Sequence, residues 1–490
     1  MRAVETGKKP VLSAEIFVIP IEADRFLVYA PLRRAAFVGN AGAVNFLADL
    51  REGRGDSGAG HDGEMIEFLR RLEIVDAGPE TPPLAVFSDD PNPVSVTLFL
   101  TTACNLRCAY CYAAAGEGAA RHMPPELARR GVDFVVGNAL ARGEDHFEIN
   151  FHGGGEPTRN WPTLTKTLAH ARRLADAHEL RLTAYLATNA VLSAKRLDWV
   201  VANLHGASVS CDGPPEVHDA NRVTPGGKGS SASVIRTLRR FDAEDFPYGI
   251  RMTVTADAIP RLADSVEYLC ANFRPGQIQA EPAYPIGRGA GAASAETAAF
   301  VAAFREAQGR ARRHGRELTF SGARVGTLTN HFCAATQDLF ALTPDGSVSS
   351  CYEVFEESSP RAKIFLYGAS AGAGGGWRFD REKLAFLRRQ SVDRRAHCAG
   401  CFARWSCGGD CYHKALTVHD DGEFAGTDRC DIIRELTRDQ ILARIADSGG
   451  VFWHEPPERI AAEGCACVSC GDEGRIMTGR GVKKPDRGCV

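Results

Sequence analysis

A parallel α/β fold is what the middle of this 490-residue chain predicts. Three observations predict it. Between Val94 and about Gly289, short apolar runs alternate with longer stretches of helical period, the rhythm of βαβ units in a parallel sheet or barrel. The apolar runs number six. The first of them leads straight into a tight group of cysteines, and in such folds chemistry gathers at the carboxyl ends of the strands.

Taken in order, residues 14–80 read as a separate α+β module. Glu15-Ile-Phe-Val-Ile-Pro-Ile and Arg25-Phe-Leu-Val-Tyr alternate as two strands of a hairpin. Helices follow at Gly42–Leu50 and Glu64–Leu72, with a glycine-rich loop, Gly53 to Gly63, between them. A hairpin followed by helices is similar in pattern to the PqqD-like winged-helix module that binds leader peptides; a packing appendage is the alternative. The proline-bearing segment Gly78 to Pro93 is a linker. The six strands of the middle region, 94–315, are then Val94–Leu100, His146–Phe151, Leu182–Thr188, Ala207–Ser210, Gly249–Val254 and Gln277–Glu281. Helices such as Pro125–Leu140 and Trp161–His178 connect them. A cysteine-rich region spans 316–445, and a polar tail covers 446–490.

Composition narrows the function. A 44% hydrophobic content and a net charge of −3 give no basic excess for nucleic acid. No stretch approaches the ~20 apolar residues of a membrane span, and Met1 to Lys9 lacks the apolar core of a secretory signal. The expectation is a cytoplasmic protein without nucleic-acid or membrane partners. Sixteen cysteines there argue for metal or redox chemistry rather than disulfides. All but Cys211 and Cys270 fall in three groups, and those two read as small buried hydrophobes.

Cys104-Asn-Leu-Arg-Cys108-Ala-Tyr-Cys111 has the spacing C-x3-C-x2-C. Three thiolates on one loop can hold three irons of a 4Fe–4S cube and leave the fourth open. A structural zinc site, which wants four protein ligands, is the other reading of the loop alone. The spacing, with Tyr110 before the last cysteine, resembles the radical S-adenosylmethionine (SAM) enzymes, whose fold is a partial (β/α)6 barrel. The resemblance implies that the open iron chelates SAM, whose cleavage yields a 5′-deoxyadenosyl radical. After the second strand comes Phe151-His-Gly-Gly-Gly-Glu-Pro-Thr158, containing the family's GGEP signature. After the fourth comes Ser210-Cys-Asp-Gly-Pro-Pro-Glu-Val-His-Asp-Ala-Asn-Arg222, similar to the S-x-D-G-P…H-D-x-x-R run of members acting on peptides. By that match Gly154, Gly155 and Glu156 belong to the SAM site, with Gly155 at the amine. Ser210 touches the ribose or carboxylate region, Arg222 pairs with the carboxylate, and Tyr110 lies over or beside adenine. Arg251 is the next candidate for the carboxylate. His218 and Asp219 are expected to be structural hydrogen-bonders, and Glu281 either faces the pocket or partners an arginine.

The second array reads Cys333, Gly346, Cys351, then Cys398-x2-Cys401-x5-Cys407-x3-Cys411, then Cys430. It resembles the seven-cysteine SPASM motif, which implies two auxiliary 4Fe–4S clusters and three in all. By that pattern Cys398, Cys401, Cys407 and Cys430 hold the distal cluster, and Cys333, Cys351 and Cys411 the proximal one. A zinc ribbon would account for part of the array but not for the Cys333–Cys351 hairpin. Two departures matter. Sulfatase-maturating members carry an aspartate base directly after the second SPASM cysteine, where this chain has Tyr352 and then Glu353. They also have a further cysteine just upstream of the first, and residues 321–332 contain none. An open proximal iron that captures a substrate cysteine is therefore expected, with Cys270 and the Cys465–Cys470 tail as internal competitors. The tail, with Cys465, Cys467, Cys470 and Cys489, reads as a metal ligand, a thiol relay, a substrate mimic or a solvent-exposed extension.

The expectation is a maturase that installs a thioether or carbon–carbon cross-link in a ribosomal precursor peptide. A ferredoxin or flavodoxin would serve as the low-potential electron donor. The alternatives are a protein-oxidising maturase of the sulfatase or quinohaemoprotein type, and a non-catalytic zinc or iron–sulfur scaffold.

Overall fold

The computed structural model describes residues 9–54, 61–291, 293–372, 375–419 and 423–453. The expectations for the tail cysteines lie outside these. The chain divides into two compact units. One takes in the described parts of 1–86, 322–333 and 389–467, the other residues 87–321 and 334–388.

In the first unit, strands β1 (Phe17–Glu22), β2 (Arg25–Ala30) and β3 (Ala35–Gly39) form an antiparallel sheet. The β1–β2 turn works because Asp24 adopts a left-handed conformation (φ 55°). Helix α1 (Ala41–Arg51) starts where the Asn40 side chain accepts from the Ala43 N–H at 3.0 Å, and α2 is His61–Arg71. Successive β2 residues face opposite sides, and both sides are covered. Val28 and Ala30 pack with Phe37, Leu47, Leu50, Ile66 and Leu69. Leu27 and Tyr29 pack with Ala36, Ile441, Ile445 and Phe452. That double burial explains the unbroken apolar run of Phe26 to Ala30. The expected hairpin and helices are present. The third strand is an addition, as is a short strand Val451–Trp453 that pairs antiparallel with β3.

The second unit is built on an eleven-stranded sheet. Its parallel part contains β4 (Ser95–Phe99), β5 (His146–His152), β6 (Arg181–Thr188), β7 (Gly206–Ser210), β8 (Tyr248–Val254), β9 (Ile278–Pro282) and β10 (Leu318–Thr319), neighbours in chain order. These include all six expected strands. No closed barrel forms, because β4 does not meet β10; it pairs instead with β11 (Ala341–Leu342). From β11 the sheet continues antiparallel through strands Ser347–Ser349, Leu366–Ser370 and Trp377–Phe379. On β5, β8 and β9 burial alternates: Phe147, Ile149 and Phe151 are buried while Glu148, Asn150 and His152 stay half-exposed. One face is thus covered and the other polar and accessible. Helix α3 (Pro125–Arg142) sits close against the covered side through Gly131, where a Cβ would come within 3.1 Å of Leu342.

Candidate active site

Strand β4 delivers the first cysteine loop. Past its end, Thr101 Oγ1 accepts from the Ala103 N–H at 3.0 Å, and the Thr102 N–H bonds the Arg121 carbonyl at 3.1 Å. Cys104, Cys108 and Cys111 follow, all half-buried free thiols. The Cys111 N–H bonds the Cys108 carbonyl at 3.2 Å, tightening the loop. Two donors aim at sulfur: the Leu106 N–H lies 3.4 Å from Cys104 Sγ and Asn189 Nδ2 3.7 Å from it. Burial pushes the Cys104 thiol up to about 12, with Glu156 and the other two thiols adding to the rise. Cationic iron is what would make these sulfurs thiolates, and N–H donors to sulfur are what bound thiolates accept. The donor set fits a cluster. Among the described residues no three His, Cys, Asp or Glu side chains already stand as a cage for a single metal ion.

The Gly153–Glu156 segment at the end of β5 is bolted to that loop. The Gly155 N–H bonds the Thr101 carbonyl at 3.0 Å and the Glu156 N–H the Ala103 carbonyl at 2.9 Å. Glycine is obligatory at 155, since a Cβ there would lie 2.3 Å from the Ala103 carbonyl oxygen; at Gly154 it would meet the Phe355 ring at 2.6 Å. Glu156 is buried and points inward. One carboxylate oxygen accepts from Thr158 Oγ1 (2.8 Å) and Thr188 Oγ1 (2.9 Å), the other from the Asn189 N–H (2.8 Å). Burial raises its pKa, while these bonds pull the other way. Glu156 therefore ties the end of β6 to the cysteine loop, and Asn189, oriented by the same contact, carries the donor to Cys104.

After β7, Asp212 is the hub that the sequence reading passed over. Its carboxylate takes Arg222 Nε at 2.9 Å and Nη2 at 3.0 Å, the Thr253 N–H at 3.0 Å, and the Tyr110 hydroxyl. The Arg222 guanidinium also lies 5.2 Å over the Tyr110 ring. Burial works against the Asp212 charge, yet Arg222's charge and fork hold its carboxyl below the usual range. The structure thus brings Tyr110 and Arg222 together beside the cysteine loop, with both polar ends turned to Asp212. The available signal was a carboxylate at a strand end, ten residues before an arginine. Ser210 stands half-buried at the end of β7 in register with Arg251, whose Nη1 bonds Gln279 Oε1 at 3.1 Å. Glu281 accepts from Gln279 Nε2 at 3.1 Å and the Ser321 N–H at 2.7 Å. His218 and Asp219 are structural hydrogen-bonders: His218 lies fully buried against Ser230, and Asp219 accepts from Ser230 and Ser231. Tyr352 stacks on His152 with centroids 4.7 Å apart, its hydroxyl 3.2 Å from Thr97 Oγ1.

In the first unit, Cys398, Cys401, Cys407 and Cys430 line one cavity, together with Arg404, Asp410 and Arg434. Cys430 occupies the first turn of helix Asp428–Asp447, where the helix dipole favours a thiolate. The Asp410 N–H lies 3.1 Å from Cys407 Sγ and the Thr427 N–H 3.5 Å from Cys430 Sγ. Buried Asp410 also accepts from Thr427 Oγ1 (2.8 Å) and Arg429 Nε (2.9 Å), joining the Cys407 loop to the helix that carries Cys430. Four thiols around one cavity fit a polynuclear cluster in chemistry and number. Cys333 and Cys411 belong to this unit and Cys351 to the other, so their grouping rests on the sequence motif.

Residues 98–265 match the radical SAM superfamily. The chain carries a radical SAM domain. The matched range contains the cysteine loop, the Gly153–Glu156 segment and the Asp212–Arg222 pair. Among curated proteins, the chain is 29% identical over 199 residues to the sporulation killing factor maturation protein of Bacillus subtilis, covering 38% of this chain and 42% of that protein. It is 30% identical over 191 residues to an Fe-coproporphyrin III synthase of Methanosarcina barkeri, covering 38% and 43%. The chain spans about half the length of the curated relatives it matches. A solved structure of native anSMEcpe with bound AdoMet is similar at a TM-score of 0.58 and 18% identity, covering 72% of this chain and 98% of that one. A second, with AdoMet and the Cp18Cys peptide, gives the same score over 73% and 99%. At 18% identity these likenesses are of fold alone, shared over 72% and 73% of this chain.

Proposed function

We propose that this chain is a radical SAM peptide maturase that installs a thioether or carbon–carbon cross-link in a ribosomally made precursor peptide. The observation that carries the reading is the construction at the ends of β4 to β7. A three-thiol loop is locked by backbone to Gly155 and Glu156 and flanked by the Asp212–Arg222–Tyr110 network. Cys104, Cys108 and Cys111 would hold the SAM-binding cluster, which when bound supplies the electron that cleaves SAM. The chain's own residues orient and exclude. Asn189 and Leu106 direct donors at Cys104, Glu156 fixes Asn189, and Tyr110 closes the far side of the loop under Arg222. Ser210 would meet the ribose or carboxylate region of SAM. Because Nε and Nη2 of Arg222, the expected carboxylate partner, are engaged by Asp212, the carboxylate is assigned to Arg251, the next candidate. Cys398, Cys401, Cys407 and Cys430 would hold one auxiliary cluster and Cys333, Cys351 and Cys411 the other, groups that could take up the surplus electron of cross-linking. A ferredoxin or flavodoxin would donate the low-potential electron for SAM cleavage.

Support for a peptide substrate comes from the relatives. One is a maturation protein for a killing factor, and one solved neighbour holds a peptide beside AdoMet. In sequence, Tyr352 directly follows Cys351, the position of the aspartate base in the sulfatase-maturating enzymes the motif resembles, and a tyrosine there argues against sulfatase maturation. The test is mass spectrometry of a candidate precursor peptide coexpressed with this chain. A peptide lighter by two hydrogens, with a cross-linked fragment pattern, is expected. An unmodified peptide, with modification of a sulfatase-type serine or cysteine instead, would move the assignment to the second maturase class.

A further inference from the structure

The N-terminal sheet has two edges, and they differ. Among the described residues, the outer edge of β1 carries no neighbouring strand. That edge is a poor template: Pro20 lacks an N–H, and the β1–β2 register slips between Pro20 and Glu22. The outer edge of β3 is regular. Its five residues pair without a break with β2, from Phe26↔Gly39 to Ala30↔Ala35. This better edge is already covered. The chain's own residues pair there antiparallel, Val451 with Phe37, Phe452 with Ala36 and Trp453 with Ala35.

The covering strand is short and reached by a turn that only glycine makes easily. Helix Asp428–Asp447 ends, and Gly449 and Gly450 adopt φ of 75° and 113° before the three paired residues begin. One side chain anchors it. Phe452 is buried among Leu27, Tyr29, Ala36, Ile441 and Ile445, with the Arg444 guanidinium 5.3 Å from its ring. Extended peptides that add to a sheet edge gain affinity from main-chain bonds and specificity from alternate side-chain pockets. Both elements are present here, a regular edge and a pocket for one large apolar residue.

We infer that Val451–Trp453 is a built-in competitor for the peptide-addition edge of this sheet. A precursor peptide binds by displacing it, with an aromatic or large aliphatic residue in the place of Phe452. The inference rests on the leader-binding reading of residues 14–80 and adds to it which edge is used and what holds that edge closed.

The probe is a fluorescein-labelled peptide of the chain's own sequence, Gly449 to Glu455, titrated against the full-length protein. Phe452→Gly removes the one side chain that anchors the strand in the apolar pocket and unseats it, without offering the nearby Arg444 guanidinium a carboxylate to pair with. Gly450→Val unseats it independently by straining the turn, without altering the sheet. Both variants are expected to bind the probe at least tenfold more tightly than the unaltered chain. In hydrogen exchange, those amides of Ala35 to Phe37 that face Val451–Trp453 rather than β2 should be protected in the unaltered chain, exposed in both variants, and protected again on adding the probe. Equal affinity in all three proteins would overturn the competitor role while leaving β3 as a peptide edge. No binding to any of them, with those outward-facing amides exposed in both variants, would overturn both the competitor and the use of this edge for leader binding.

Discussion

Arg222 reaches Asp212 through Nε and Nη2, and through Asp212 it steadies Tyr110, one residue before Cys111. Both members of the pair are buried, so removing one strands the other's charge. Arg222→Met is expected to lower stability by about 3–5 kcal/mol. An unchanged urea midpoint would mean that Asp212 finds another partner. His218, in the same pocket, is fully buried, and its pKa is pushed down to about 4. Burial is the main cause, Asp212 opposes it, and Arg222 adds to it. The folded pKa lies below the unfolded value of about 6.5, so the folded state binds fewer protons between the two. Stability from this group is complete above pH 6.5 and falls as pH drops toward 4, by at most about 3 kcal/mol. Urea unfolding between pH 7 and 4 should show this loss, and His218→Gln should lose less. Equal slopes in both proteins would assign the acid sensitivity elsewhere. Sequence alone picked out Arg222, Tyr110 and His218 because each sits in a spaced motif. Asp212 stands in the same S-x-D-G-P run, but no role could be given to it from sequence, because that role depends on a contact with Tyr110, 102 residues away.

Elements read well from sequence where alternation or helical period runs long enough to show. The six parallel strands and the helices between them were legible for that reason. Strand β3 was not, since Ala35-Ala36-Phe37-Val38-Gly39 has no alternation, and β10, β11 and Val451–Trp453 are only two or three residues long. Such strands are defined by the partner they pair with. Two glycines make the same point from opposite sides. Gly155→Ala would put a methyl 2.3 Å from the Ala103 carbonyl, which is backbone and cannot turn away. It should cost about 1–3 kcal/mol and weaken SAM binding in equilibrium dialysis. Gly137, within α3, has nothing within 4 Å of its would-be Cβ. Gly137→Ala should therefore stabilise the protein by about 0.4–1 kcal/mol in thermal or urea unfolding. A destabilised Gly137→Ala, or a Gly155→Ala that binds SAM normally, would contradict this reading of the two positions.

At the scale of the whole molecule, two sets of thiols sit in different units. The Cys104–Cys111 loop belongs to the sheet of the second unit, and the Cys398–Cys430 cavity to the first. The spacing of the cysteines made both sets legible in sequence. The division of the chain was less so, because residues 322–333 and 389–453 return to pack with the N-terminal module. If the loop alone cleaves SAM, the two sets can be emptied separately. The most direct measurement compares the anaerobically reconstituted protein with a Cys104→Ala, Cys108→Ala, Cys111→Ala variant. Iron and sulfide are counted, and 5′-deoxyadenosine is measured after reduction in the presence of SAM. The account predicts that the variant loses the iron of one cluster, keeps the remainder, and forms no 5′-deoxyadenosine above the protein-free background. Unaltered iron content with undiminished 5′-deoxyadenosine would contradict it.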